Sequence, residues 1–269
     1  MSAAVTNTDD ARDDRIPFGR IRDMVALAKR GLLAYLRVPQ LLVFSTVQPV
    51  IFVLMFRYVF GGAIELEGPV DYVDFLMPGI FVQTVVFGAI ATAIGLASDM
   101  KSGLMERFHA LPMSRAAVLT GRTLADLVRN VFVVALMMIV GWLVGWRVHT
   151  DVWGLLAGAA LVLLFGYAMS WIFATVGLAV KDPETAQAAA FPVLAPLVFA
   201  SAAFVPLDSM PSWLQTFAEN QPVSITAEAV RALTVGGPAA SLVLQSLAWD
   251  VGILLVFGTI AVRLYRRSD

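Results

Sequence analysis

Six apolar stretches, most as long as the roughly 18–20 residues a helix needs to cross a bilayer, leave this chain few ways to fold. They cover about Gln40–Phe60, Phe75–Ser98, Leu124–Trp146, Val152–Val180, Thr185–Val205 and Leu242–Leu264. Hydrophobic residues make up 59% of the chain and charged ones 14%, against about 45–50% and about 25% in a soluble domain. A soluble stack of helices would carry a charged outer face, and these stretches do not. The expectation is an all-α membrane protein with six spans.

The segments between the stretches are patterned. Residues 1–16 are polar, carry both charge signs and lack the apolar run of a signal peptide, so they read as a disordered tail. In residues 17–37, Ile21, Met24, Val25, Leu27, Ala28, Leu32 and Leu36 recur at helical spacing, with Arg20, Arg22, Lys29, Arg30 and Arg37 on the remaining positions. That is the pattern of an amphipathic helix lying in the membrane interface. Residues 38–267 then form the membrane domain. Pro49 sits inside the first stretch and is expected to kink it. Region 99–122 is a charged island broken at Leu111-Pro112, with a second helix from Ser114. Region 206–240 holds two short helical patterns, about Ser212–Ala218 and Ile225–Leu233, the second with Ser224 as its expected N-cap. Both are too short to cross and read as re-entrant pieces on the outer side.

Lys and Arg set the orientation. The tail and interfacial helix, the island (Lys101, Arg107, Arg115, Arg122), Lys181 and the end of the chain (Arg263, Arg266, Arg267) gather on one side. Only Arg147 and Arg231 fall on the other, while Arg57 and Arg129 lie inside spans. Both termini and the island are therefore expected in the cytoplasm, as six spans require. Trp142, Trp146, Trp153 and Trp213 are placed at the outer interface, where indoles are favoured, and Trp171 and Trp249 between helices.

Several chemistries are excluded. With no cysteine there is no disulfide or thiolate metal site, and two histidines make a His-based site implausible. None of the three lysines follows a glycine-rich phosphate loop, and no G-x-S-x-G elbow or H-E-x-x-H pair occurs. A net charge of −1 gives no sign of nucleic-acid binding. The chain is expected to bind no cofactor and to catalyse nothing by itself.

Ionisable residues inside spans are functional candidates by default. Asp126 and Arg129 are three apart on one helix face, near the expected cytoplasmic end of the third span. A structural ion pair beside the headgroups is the plain reading. Arg57 lies close to the outer end of the first span, within snorkelling reach of the interface. Asp250 is about two turns inside the sixth span, suited equally to packing or to a pathway. Gln48 and Asn130 suit interhelical hydrogen bonding first. A carboxylate working with an ion gradient would make the chain a secondary transporter, and Asp250 is its one support.

Two stretches carry a family resemblance. Glu106, Arg107 and Phe108, followed by Leu111, Pro112, Ser114 and Arg115, resemble the E-R…L-P-x-[SP]-R stretch of type-2 ABC exporter permeases, in the daunorubicin-resistance-like branch. Asn220 and Pro222, followed by Glu228 and Arg231, are similar to that family's N-P-x-[ST]…E-A-x-R-A-L before the last span, with Gln221 as an insertion. The resemblance covers about Arg20 to Arg267. It implies a permease in the plasma (inner) membrane, exporting an amphipathic drug, lipid or lipid-linked molecule. It also implies a second permease copy or sister permease, and separate ABC ATPase subunits that hold ATP and magnesium. The island around Glu106 and Arg107 would be the coupling helix seated on the ATPase.

Overall fold

The computed structural model describes residues 39–61, 70–102 and 115–267. The tail 1–16, the expected interfacial helix 17–37 and the island residues Glu106, Arg107, Phe108, Leu111, Pro112 and Ser114 lie outside the described residues. Arg115 is described only as the first residue of a helix.

The described residues form helices and turns, with no strand among them. In chain order the helices are α1 (Pro39–Leu54), which runs on into a π-helical turn (Met55–Phe60), α2 (Tyr72–Lys101), α3 (Arg115–Val144), α4 (Val152–Val180), α5 (Pro183–Phe199), α6 (Ser212–Asn220), α7 (Pro222–Thr234) and α8 (Ala239–Arg267). Four apolar segments are long enough to cross a membrane: Tyr72–Lys101, Leu119–Val144, Val152–Val180 and Ala239–Tyr265. Thr46–Phe60 is a shorter apolar helix.

Local chemistry sets the ends. Asp151 caps α4 by accepting from Gly154 N at 2.8 Å, and Lys181 closes it in the left-handed region at φ 62°. Asp182 then caps α5 by accepting from Thr185 N at 3.0 Å, with Pro183 at the first helical position, where its missing N–H costs nothing. α6 and α7, of 9 and 13 residues, are too short to cross a bilayer.

α2 is the central helix. In its most apolar window 67% is buried by protein, against 17% for α8. In a hydrocarbon setting, close approach between helices supplies the attraction that water-driven burial gives a soluble core. Small residues allow it here. A Cβ on Gly177 of α4 would overlap Ala93 O of α2, and one on Gly79 of α2 would overlap Ala203 O.

Several expectations are corrected. The second helix of the island, expected from Ser114, begins at Arg115 as read, but it is one continuous helix with the third span, which was expected from about Leu124. Leu119 and Thr123 are buried, and Arg122 lies against α2. The fifth stretch, read as a span to Val205, leaves the helix at Phe199 after only 17 residues. Pro192 and Pro196 remove two of its backbone donors, and the next N–H groups turn to side chains. Ala202 N donates to Ser224 Oγ at 3.0 Å, and Ala203 N to Ser201 Oγ at 3.2 Å. Ser224 is thus no N-cap; Gln221 caps α7, its side chain accepting from Val223 N at 3.0 Å. Trp146, placed at the interface, is buried edge-on against Phe81, because Gly145 at φ 112° turns it back onto the bundle. Trp249, placed between helices, is exposed on α8, while Trp171 packs as expected.

Candidate functional site

Two polar clusters stand out in this apolar bundle. The first lies along the seam between α2 and α3. Two arginines seven residues apart on α3, Arg122 and Arg129, lie over two glycines seven apart on α2, Gly95 and Gly88. A Cβ on Gly88 would come within 2.8 Å of Arg129 Nη2, and one on Gly95 would overlap the Arg122 guanidinium. The glycines are therefore grooves that admit the long side chains. Arg129 Nη2 donates to Gly88 O at 2.6 Å and to Asn130 Oδ1 at 3.1 Å. Asp126 accepts from Thr92 Oγ1 at 2.6 Å, with Arg122 Nε 3.9 Å away. Arg122 in turn reaches Asp99 at 3.6 Å and Ala91 O at 3.4 Å. Asp126, Arg129 and Asn130 are all buried.

The cluster lies half-way along the helices that form it. Because α3 begins at Arg115, Arg129 falls at its midpoint rather than near an end. Gly88 is close to the midpoint of α2, and Asn130 meets Gly166 at the midpoint of α4. Beside the seam, Gln48 and Pro49 of α1 face Gln83, Thr84, Phe87, Gly88, Ala91 and Arg129 across a cleft of about 110 Å³. Gln83 is buried, and its carbonyl oxygen has no partner among the described residues. The cleft thus joins a cation, two amides and an aromatic wall half-way along three helices.

The second cluster centres on α7. Arg231 Nε donates to Phe75 O at 3.0 Å, Nη1 to Glu228 Oε1 at 2.6 Å and Nη2 to Ala202 O at 3.0 Å. Its guanidinium stands 3.6 Å from the centre of the Phe75 ring. The planar fork thereby ties α7 to the start of α2 and to the turn after α5. Beside it, Tyr72 Oη donates to Phe204 O at 3.0 Å. Asp74 holds His149 Nε2 at 2.6 Å and accepts from Arg147 N at 2.8 Å, and Thr150 Oγ1 donates to Leu233 O at 2.6 Å. Together these bonds strap the α3–α4 turn onto the start of α2 and onto α7.

The remaining candidates are spread out. Arg57 sits in the π-helical turn, away from the cleft lining. Asp250 is fully buried on α8, and neither carboxylate oxygen has a partner among the described residues. Asn220 closes its own helix through Nδ2 to Thr216 O at 2.9 Å. The inserted Gln221 does more: besides capping α7, its Nε2 donates to Leu197 O at 2.9 Å and to Ser224 Oγ at 3.0 Å. Pro222 takes the first position of α7. At the opposite end of the bundle from α7, Lys101 and Asp182 pair at 2.8 Å. The Lys101 hydrogen bond holds the exposed Asp182 carboxyl down at about 2, so this tie is complete at neutral pH and is lost only as pH falls through that value.

Sequence reading missed Gln83, Thr92, Asp74, Tyr72 and Gln221. One signal was available for the seam, the matched seven-residue spacing of Gly88 and Gly95 with Arg122 and Arg129. Among the described residues no group of acidic and histidine side chains is arranged to hold a metal.

Comparison with known proteins adds a third kind of observation. The profile of the ABC-2 type transporter family matches residues 22–235. The daunorubicin resistance ABC transporter permease protein DrrB1 of Streptomyces coeruleorubidus is 34% identical over 248 residues, covering 89% of this chain and 84% of that protein. The probable doxorubicin resistance ABC transporter permease protein DrrC of Mycobacterium tuberculosis is 29% identical over 231 residues, covering 84% and 81%. The putative transport permease ycf38 of Cyanophora paradoxa is 27% identical over 218 residues, covering 79% and 74%.

Proposed function

The chain belongs to the ABC-2 type transporter family, and on that premise we propose that it is the permease subunit of an ATP-driven exporter. Its substrate would be an amphipathic drug, lipid or lipid-linked molecule, moved out across the plasma membrane. The observation that carries this reading is the family match across most of the chain, joined by relatives named as drug-resistance permeases. The arrangement proposed has six spans, with α1 and α5 as the two short ones, both termini and the 99–122 region in the cytoplasm, and α6 and α7 as re-entrant helices on the outer side. ATP and magnesium belong to separate ABC ATPase subunits, and a second permease copy or a sister permease completes the membrane dimer.

In this reading the helix around Glu106, Arg107 and Phe108, with Leu111, Pro112, Ser114 and Arg115, seats in a cleft of the ATPase. Closure of the ATPase would move the spans as rigid bodies. Arg129 and Asn130 are buried half-way along α3, and Arg129 lines the cleft opposite the exposed Gln48; this supports a pathway role for the three, because a cation inside a span must be retained against a cost of about 2.5–3.5 kcal/mol on insertion scales. Replacing Glu106 or Arg107 with Ala is expected to lower substrate-stimulated ATP hydrolysis by the reconstituted complex several-fold, with the permease still inserted. Unchanged stimulation in both variants would remove the coupling role from this segment.

A further inference from the structure

We infer that a groove between α4 and α8 is a binding site for an anionic phospholipid of the leaflet that faces the Arg263 end of the bundle. The groove has a volume of about 600 Å³ and is separate from both polar clusters. Tyr167 and Trp171 of α4 form one wall, edge to face at 6.3 Å and 82°. Leu254, Leu255, Gly258, Thr259, Val262 and Arg263 of α8 line the rest. The floor is closed by contact between the two helices, including Thr175 Oγ1 to Phe257 O at 3.4 Å.

Three properties point to a lipid as occupant. The first is shape. Gly258 has no side chain, so the space before Trp171 stays open; a Cβ there would only just reach the indole, at 3.9 Å. The second is length. From Leu254 to Arg263 the helix rises roughly 14 Å, close to the half-thickness of a hydrocarbon core of about 30 Å. One acyl chain therefore fills the groove from the bilayer centre to the interface.

The third property is charge. Arg263 is exposed at the end of the groove, and Arg266 and Arg267 follow in the sequence. The Arg263 cation opposes the negative end of the helix dipole and favours a phosphate headgroup without a compensating amine. The inference rests on the cytoplasmic placement of the α8 C-terminus, since that leaflet carries the anionic lipid. Its selectivity test does not depend on that placement.

The test is native mass spectrometry of the full chain taken from mixed micelles with equal phosphatidylglycerol and phosphatidylcholine. The site predicts a bound phosphatidylglycerol retained at least about fivefold over phosphatidylcholine, the size expected for a basic residue against an anionic headgroup. Arg263→Gln should lower that preference about fivefold. Gly258→Leu, which fills the groove, should abolish the retained lipid. Gly252→Leu is the control, because nothing lies within 4 Å of that position on the same helix. Arg263 is exposed, so its variant reads the charge even where Gly258→Leu fails to fold. Equal retention of the two lipids, or equal loss in Gly258→Leu and Gly252→Leu, would leave only annular lipid and overturn the site. So would daunorubicin bound in the groove in place of lipid, lost in Gly258→Leu while the lipid remains.

Discussion

Arg231 and Asp250 show how differently two buried charges can be housed. Arg231 has an acceptor for each guanidinium nitrogen and an aromatic face beneath it, all at fixed distances. A lysine has no planar fork, so Arg231→Lys leaves Phe75 O or Ala202 O without a donor. The expected loss is about 1–3 kcal/mol, the cost of leaving a buried acceptor without a donor, seen as a lower thermal midpoint in detergent. Asp250 has no partner among the described residues, so its burial is a cost with nothing visible to offset it. Asp250→Asn keeps the shape and removes the charge. It should keep or raise the midpoint and leave ATP-driven transport intact; loss of a gradient-driven flux on this substitution would instead favour a secondary transporter. At this level the sequence was only partly legible. Arg231 and Glu228 could be picked out by motif, but Gln221 looked like an interruption of that motif. Its four contacts reach Leu197, Val223, Ser224 and, at 3.4 Å, Ala200. Residues more than twenty positions away in the chain are invisible to local pattern.

The long helices were legible because apolar length is a local property, and α4 ends where its composition changes, at Lys181. The helix start after Pro112 was legible too, read at Ser114 and found at Arg115; what the sequence did not show is that this helix runs unbroken into the third apolar stretch. Likewise, the end of α5 depends on Ser201 and Ser224, which the sequence alone does not bring together. The fit between helices yields a prediction of contrast. At Gly177 a new Cβ meets the backbone of Ala93, which cannot move without separating α4 from α2. At Gly95 it meets the far end of Arg122, which can swing away. Gly177→Ala should therefore cost about 1–3 kcal/mol, the usual range for overpacking, and Gly95→Ala clearly less. Thermal unfolding of the two variants in one detergent makes the comparison; equal losses would mean that the α2–α4 contact is looser than described.

As a bundle, the molecule combines a buried central helix, a polar layer half-way along its helices and a strapped end around α7. In the function proposed for it, the energy source lies in a partner subunit. The fold bears on this, since the 99–122 region takes in the end of α2 and the start of α3, and both helices contribute to the polar seam. A push on that region would reach Arg129 and the Gln48 cleft along two rigid rods. The direct test is the rate of ATP hydrolysis by the cognate ATPase subunit in proteoliposomes, measured with and without this chain. The account predicts that the chain recruits the ATPase to the membrane and raises hydrolysis several-fold, and that Arg107→Ala removes most of the increase. An ATPase that neither binds these liposomes nor changes its rate when the chain is present would contradict it.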